Sequence, residues 1–180
     1  SPQSISSLAN FFNLTEEKTL EKICCILESI GINFVFNYNT ILKFSLKKNF
    51  EEFKEKILNK KQPYLINSEC PGWVCYAEKK IGEWVVPFLS NVKSPQQIFG
   101  NFMKNFFQKF FNFNFKEIFV STIMPCFDKK LEATRGENIL KNEILEVDTV
   151  VSTLELLDLF EKLKIDFGEF EPENNQKVFY

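Results

Sequence analysis

The stretch EIFVSTIMPCFDKKLEATR, Glu117 to Arg135, decides the fold class. Its first half, EIFVSTIM, is a continuous apolar run of strand length, the pattern of a strand covered on both faces. The run ends at Pro125 and Cys126, and the charged segment behind them can turn helical. Later, EVDTVVST repeats the strand and feeds a helix with Ser152 as cap and Glu155 three residues on. Strands alternating with helices predict an α/β fold, a mostly parallel sheet with flanking helices.

Working outward, Thr15 with Glu16 and Glu17 opens a helix whose positions Leu20, Ile23, Cys24, Leu27 and Ile30 keep the 3.6 period, and Gly31 ends it. Cys24 therefore faces the core. INFVFNY, from Ile32, reads as a strand, and Asn49 with Glu52 starts a short helix through Phe50, Phe53 and Ile57. PYLIN, from Pro63, reads as a short strand ending just before Cys70, and a helical segment runs from Trp73 to about Gly82. Ser94, Pro95 and Gln97 combine a cap, a proline at the first helical position and a capping-box partner. The paired positions Ile98-Phe99, Phe102-Met103, Phe106-Phe107 and Phe110-Phe111 predict a helix buried over much of its surface. SPQSI at Ser1 resembles SPQQI at Ser94, a pair too short to argue for duplication. The tail from Phe167 shows no clear element.

A chain of 180 residues suffices for one full-sized core or two small lobes. A hydrophobic fraction of 44% and a net charge of -2 argue against disorder and against nucleic-acid binding. The 22 phenylalanines, in runs such as FFQKFFNFNF, read as core material within a composition drifting toward Phe, Asn and Lys. Five cysteines without an apolar leader point to a reducing, cytoplasmic compartment rather than a disulfide framework. No window reaches the roughly 18 apolar residues of a membrane span. With no histidine, any metal must be held by thiolate or carboxylate. A start at Ser1 rather than Met suggests part of a longer protein.

Cys70 and Cys126 share a setting: each follows an expected strand, stands beside a proline and precedes a segment that can turn helical. Both are expected at the carboxyl rim of the sheet, where ligands of open α/β folds bind. Packing is the alternative for any one cysteine, and it is the reading kept for Cys24, Cys25 and Cys75. For Cys70 and Cys126 packing and a shared site stand about even. An iron-sulfur cubane takes four protein ligands, and this chain offers two good candidates. Lys129 and Lys130 follow Cys126 and could balance an anionic ligand; the slightly favoured reading is a solvated helix start in which Lys129, Lys130, Glu132 and Arg135 form exposed pairs worth little.

CPGWVCYAEK, KSPQQIFGNFMKNFF, IMPCFDKKLEATR and EVDTVVSTLEL, in this order and spacing, resemble the catalytic domain of iron-only hydrogenases. The closer resemblance is to the non-hydrogenase relatives, the nuclear prelamin A recognition factor-like family with its cytosolic iron-sulfur assembly component. It covers the chain from about Ser1 to about Phe160. It implies a two-lobed domain, here partial, with a first lobe over about 1–115 and the start of a second over about 116–180. By resemblance, Cys70 and Cys126 are ligands of a 4Fe-4S cluster, Lys129 matches the lysine that holds a ligand of the hydrogenase two-iron centre, and Ser94, Pro95 and Gln96 match a loop lining that pocket.

Glu69 stands where hydrogenases place a second cysteine for proton transfer, which argues against hydrogen chemistry. Asp128 and the VCYAEK wording also sit closer to the assembly relatives. The motif bringing the remaining ligands and the upstream segment carrying the family's first cluster are absent from this stretch. The resemblance thus implies a cluster carrier or adaptor rather than an enzyme. Its partners would be apoprotein targets and a targeting complex containing a WD40-repeat protein. Two alternatives stay open: an iron-only hydrogenase with Glu69 in place of the cysteine, and a degenerate interaction domain without a cluster.

Overall fold

The computed structural model describes residues 1–140 and 143–170. Its order is α1 (Pro2–Phe11), α2 (Glu16–Ser29), α3 (Tyr38–Phe53), α4 (Pro71–Tyr76), α5 (Pro95–Phe111), β1 (Ser121–Met124), α6 (Asp128–Ala133), β2 (Thr149–Ser152) and α7 (Thr153–Lys162). Among the described residues two strands pair in parallel, so the α/β class holds with a sheet of two strands there. Two compact units alternate along the chain, one from Ser1–Thr40, Ile123–Cys126 and the chain from Val151, the other from Ile41–Thr122 and Phe127–Val150. Neither unit ends at residue 115. The chain passes from one unit to the other within each strand.

In the first unit, capping chemistry fixes the helix starts. The Ser1 hydroxyl accepts from Ser4 N, Thr15 Oγ1 accepts from Lys18 N, and Ser152 with Glu155 forms the full capping box of α7. Gly31, at φ +98°, follows α2 in the left-handed conformation a glycine adopts freely. Leu8, Ile23, Ile26, Leu156, Phe160 and Phe167 form the core, with the Phe160 and Phe167 rings stacked at 5.4 Å. Lys22 is buried, and its ammonium donates to the carbonyls of Gly168 (2.7 Å) and Phe167 (3.3 Å).

The expected strand INFVFNY is reduced to a single bridge position at Phe36, with Ile32 and Phe34 exposed and Tyr38 already in α3. The helix placed at Asn49 starts instead at Tyr38, where Asn37 Oδ1 accepts from Asn39 N at 3.0 Å, and it continues into a π-helical turn, Lys54–Leu58. Asn49 lies inside this helix and caps nothing. PYLIN contributes a single parallel bridge, Ile66 to Leu89.

In the second unit α5 departs from its reading. Ser94 precedes the helix, but its hydroxyl makes no capping bond and no capping box with Gln97 forms. The buried face carries Gln96, Gln97, Gly100, Met103 and Lys104, while Phe102, Phe110 and Phe111 are exposed. Those rings pack on one another along the helix surface, Phe106 lying 5.7 Å from Phe102 and 4.8 Å from Phe110. The buried polar face meets the 145–148 segment: Lys104 donates to Leu145 O (2.6 Å) and Asp148 Oδ1 (2.8 Å), and Glu146 Oε1 accepts from Lys93 and Asn101, both at 2.7 Å. Asp148 Oδ2 in turn accepts from Val120 N, which holds the start of β1.

Candidate functional site

Cys70 is exposed and serves as N-cap of α4, with Pro71 in the first turn. Its Sγ accepts from Trp73 N at 3.4 Å, the kind of N–H···S bond that tunes a metal-bound thiolate. The segment before it makes one bridge and belongs to no sheet, so Cys70 follows extended chain rather than a sheet strand. α4 packs on α6, and Gly72 faces Asp128 there. A Cβ there would lie 2.5 Å from Asp128 Oδ2 and 3.9 Å from Cys70 Sγ. A side chain at this position would have to displace the Asp128 carboxylate, which lies over the same spot as the Cys70 sulfur.

Around α6 the second unit builds a buried polar cluster. Lys129 Nζ pairs with Glu132 Oε2 at 2.9 Å, and both side chains are largely buried. Gln96 donates to Lys129 O at 3.1 Å and Glu132 Oε2 at 3.4 Å, while its own oxygen accepts from Thr122 Oγ1 at 3.1 Å. Asn138 fixes the Glu132 carbonyl at 2.7 Å. The solvated-helix reading of this segment therefore fails for Lys129, whose pair is shielded and whose loss is costly. It holds better for Arg135, which is part-exposed and meets Glu78 at 2.6 Å and Glu137 at 3.1 Å.

Glu69 is exposed as a residue, but partial burial of its carboxyl raises its pKa; the Lys129 ammonium opposes that shift and Glu132 adds to it. Cys24, wholly buried, is pushed up to about 12, first by burial and then by Glu28, Cys25 and Glu21, which suits a packing thiol. Cys75 accepts from Arg135 Nη1 at 3.9 Å. Cys126 is half-buried two residues beyond β1, in the first unit, while Cys70, Ser94, Gln96 and Lys129 belong to the second.

Among the described residues, no three His, Cys, Asp or Glu side chains are grouped to hold a metal ion. The buried Ser94 hydroxyl and both side-chain polar atoms of Gln97 lack hydrogen-bond partners, leaving unmet polar capacity at the start of α5. Sequence reading placed Glu132 only in a solvated helix start, and it passed over Thr122 and the Gly72–Asp128 approach. Only the three-residue spacing of Lys129 and Glu132 carried a signal.

The family model for the iron only hydrogenase large subunit, C-terminal domain, matches residues 1–180. This chain belongs to that family. A cytosolic Fe-S cluster assembly factor of Xenopus tropicalis is 38% identical over 184 residues, covering 99% of this chain and 39% of the relative. Cytosolic iron-sulfur assembly component 3 of Rattus norvegicus is 37% identical over 177 residues, covering 96% of this chain and 37% of the relative. The chain thus spans about two fifths of the length of these relatives. An apo FeFe-hydrogenase from Chlamydomonas reinhardtii superposes with a TM-score of 0.80 at 22% identity, over 87% of this chain and 40% of that one, a likeness of fold alone. Among the described residues no helix is long and apolar enough to cross a membrane.

Proposed function

We propose that this hydrogenase-like chain is part of a cytosolic, cytoplasmic iron-sulfur assembly factor that carries a 4Fe-4S cluster to apoproteins, with Cys70 and Cys126 as two of the cluster's ligands. The observation that carries this reading is the pairing of a cysteine at each ligand motif with Glu69 at the proton-transfer position, in a chain 38% identical to a named assembly factor. Cys70 fits the role: it is an exposed thiol rather than a packed one, fixed by its cap position and the Trp73 N–H. Two thiols are half of a cubane's usual ligand set, so the others come from outside these residues. The orphaned polar atoms of Ser94 and Gln97 suit a loop that borders a ligand, as does Gln96 beside Lys129.

A cluster held there would supply one-electron exchange or be the cargo itself. The chain's own residues do the rest. The cap geometry of α4 holds the Cys70 sulfur outward, and Glu132 and Gln96 hold Lys129 in place. Lys129 is engaged by its own carboxylate, which disfavours its use as a donor to a ligand on a two-iron centre. The role is that of a carrier or adaptor, not a turnover enzyme, within a targeting complex that includes a WD40-repeat protein.

The full-length protein, reconstituted anaerobically, is expected to pass its cluster to an apo-acceptor, read by the acceptor's visible absorption, and to neither evolve nor take up hydrogen. Hydrogen turnover that rises in Glu69→Cys would establish the hydrogenase alternative instead.

A further inference from the structure

Residues Leu65–Asn67 form a strand-like segment centred on the Ile66 bridge with one edge in use: Ile66 N donates to Phe88 O at 2.7 Å, and Ser90 N donates to Ile66 O at 2.8 Å. In extended chain successive N–H and C=O groups point to opposite edges. The main-chain groups of Leu65 and Asn67 therefore face away from Leu89, and among the described residues they have no hydrogen-bond partner. Beside them lies a groove of about 450 Å³, lined by Phe53, Ile57, Leu65, Trp84 and Phe88, with Tyr64 packed edge-on to Phe88. Trp84 is 69% and Tyr64 66% exposed, a large aromatic surface left in water.

The helix that supplies Phe53 and Ile57 is strongly basic. Residues 41–62 hold seven lysines against three glutamates, in a chain whose net charge is -2. Those glutamates are already taken by Lys48, Lys56 and Lys61. Lys54 and Lys60, on either side of Ile57 in the chain, have no carboxylate partner among the described residues, and Lys54 lies over the Phe50 ring at 4.5 Å.

From an open strand edge, an aromatic groove and surplus lysine flanking the groove residue Ile57 in the chain we infer that this face docks an extended, acidic segment of a partner protein. The segment adds as a strand beside Leu65 and Asn67, alternate apolar side chains entering the groove and its carboxylates meeting Lys54 and Lys60. Strand addition supplies main-chain bonds, the groove selects apolar side chains, and the lysines select charge. The role goes beyond cluster binding and does not depend on it.

The test is fluorescence anisotropy with the full-length protein and a labelled peptide that alternates aspartate with leucine or phenylalanine. Three controls carry lysine for aspartate, N-methylated alternate amides, or scrambled order. The acidic peptide binds, salt weakens it, and Trp84→Ala and the Lys54→Glu/Lys60→Glu pair each weaken it by about tenfold or more, as loss of an anchor residue does. Trp84 is a solvent-exposed aromatic, and circular dichroism confirms that each variant is folded. Equal binding of acidic and basic peptides, indifference to N-methylation, or unchanged affinity in the variants overturns the inference. So does a dimer that Trp84→Ala converts to monomer, or exchange protection of Leu65 and Asn67 amides in the free full-length protein, since either shows another occupant.

Discussion

Replacing Gly100 by alanine puts a methyl group where α5 has no room for one. Its Cβ would stand 2.3 Å from the Glu146 carbonyl oxygen, 2.7 Å from the carbonyl carbon and 2.7 Å from Val147 Cγ2. Favourable contacts between such atoms lie at about 3.5–4.0 Å, so the helix or the facing segment must retreat by about 1 Å. Two of the three obstructing atoms are backbone, and the segment that bears them is tied down by Lys93, Asn101 and Lys104. On an exposed helix the change would stabilise by about 1 kcal/mol, because alanine is the better helix former. Overpacking costs about 1–3 kcal/mol, and each charge-assisted bond stretched by the retreat adds about 1.5–3 kcal/mol. The expected net effect is a loss of about 2–4 kcal/mol. Urea unfolding followed by far-ultraviolet circular dichroism reads it as a lower midpoint at unchanged slope. A midpoint equal to or above that of the unmodified protein refutes the reasoning, since helix propensity and packing predict opposite signs.

The charged groups give three further predictions. Glu132→Gln leaves the Lys129 ammonium largely buried without its carboxylate and is expected to cost about 3 kcal/mol in urea unfolding; a loss near zero would show the pair to be solvated. Against partial burial, hydrogen bonds from Lys56, Ser90 and Asn91 hold the Glu52 carboxyl below its usual value of 4.5. Its contribution is therefore complete above that pH and lost as pH falls through the folded value, so Glu52→Gln removes part of the acid limb of the stability profile; parallel profiles would contradict it. Glu69 shifts the other way, chiefly through burial, so the folded form holds its proton more tightly than the unfolded form and the group costs stability above its folded pKa. Glu69→Gln is expected to be more stable than the unmodified protein at pH 7 and equal to it well below pH 4.5, which paired unfolding curves at the two pH values decide.

The starts of α2 and α7 were legible because capping is local chemistry. Thr15 and the Ser152/Glu155 pair lie next to the amides they satisfy, and no distant residue can cancel that bond. Cys24 was legible by period alone. Misreadings arose where tertiary context outweighed pattern. INFVFNY has strand composition but pairs at Phe36 alone, since strand propensity is realised only where a neighbour packs along the run. On α5 the phenylalanines promised a buried stripe, whereas Lys104 and Gln96 took the inward positions because acceptors on Leu145, Asp148 and Lys129 awaited them. A buried lysine cannot be read from sequence without its partner, and Lys22, held by Phe167 and Gly168, is a second case. The candidate ligands were legible through motif order rather than local pattern, since strand, proline and turn alone left Cys70 divided about evenly between packing and ligand. Glu132 and Asp128 gained meaning only from contacts, with Lys129 and with the space above Gly72.

The central claim is that Cys70 and Cys126 hold a cluster. Anaerobic reconstitution of the full-length protein with iron and sulfide, followed by visible absorption and EPR after reduction, tests it most directly. A four-iron signal assigned to this domain is expected in the unmodified protein and is expected to be lost or replaced in Cys70→Ala and in Cys126→Ala, while Cys24→Ala keeps it. A signal unchanged by both ligand substitutions, or a complete protein that stays colourless, would contradict the account.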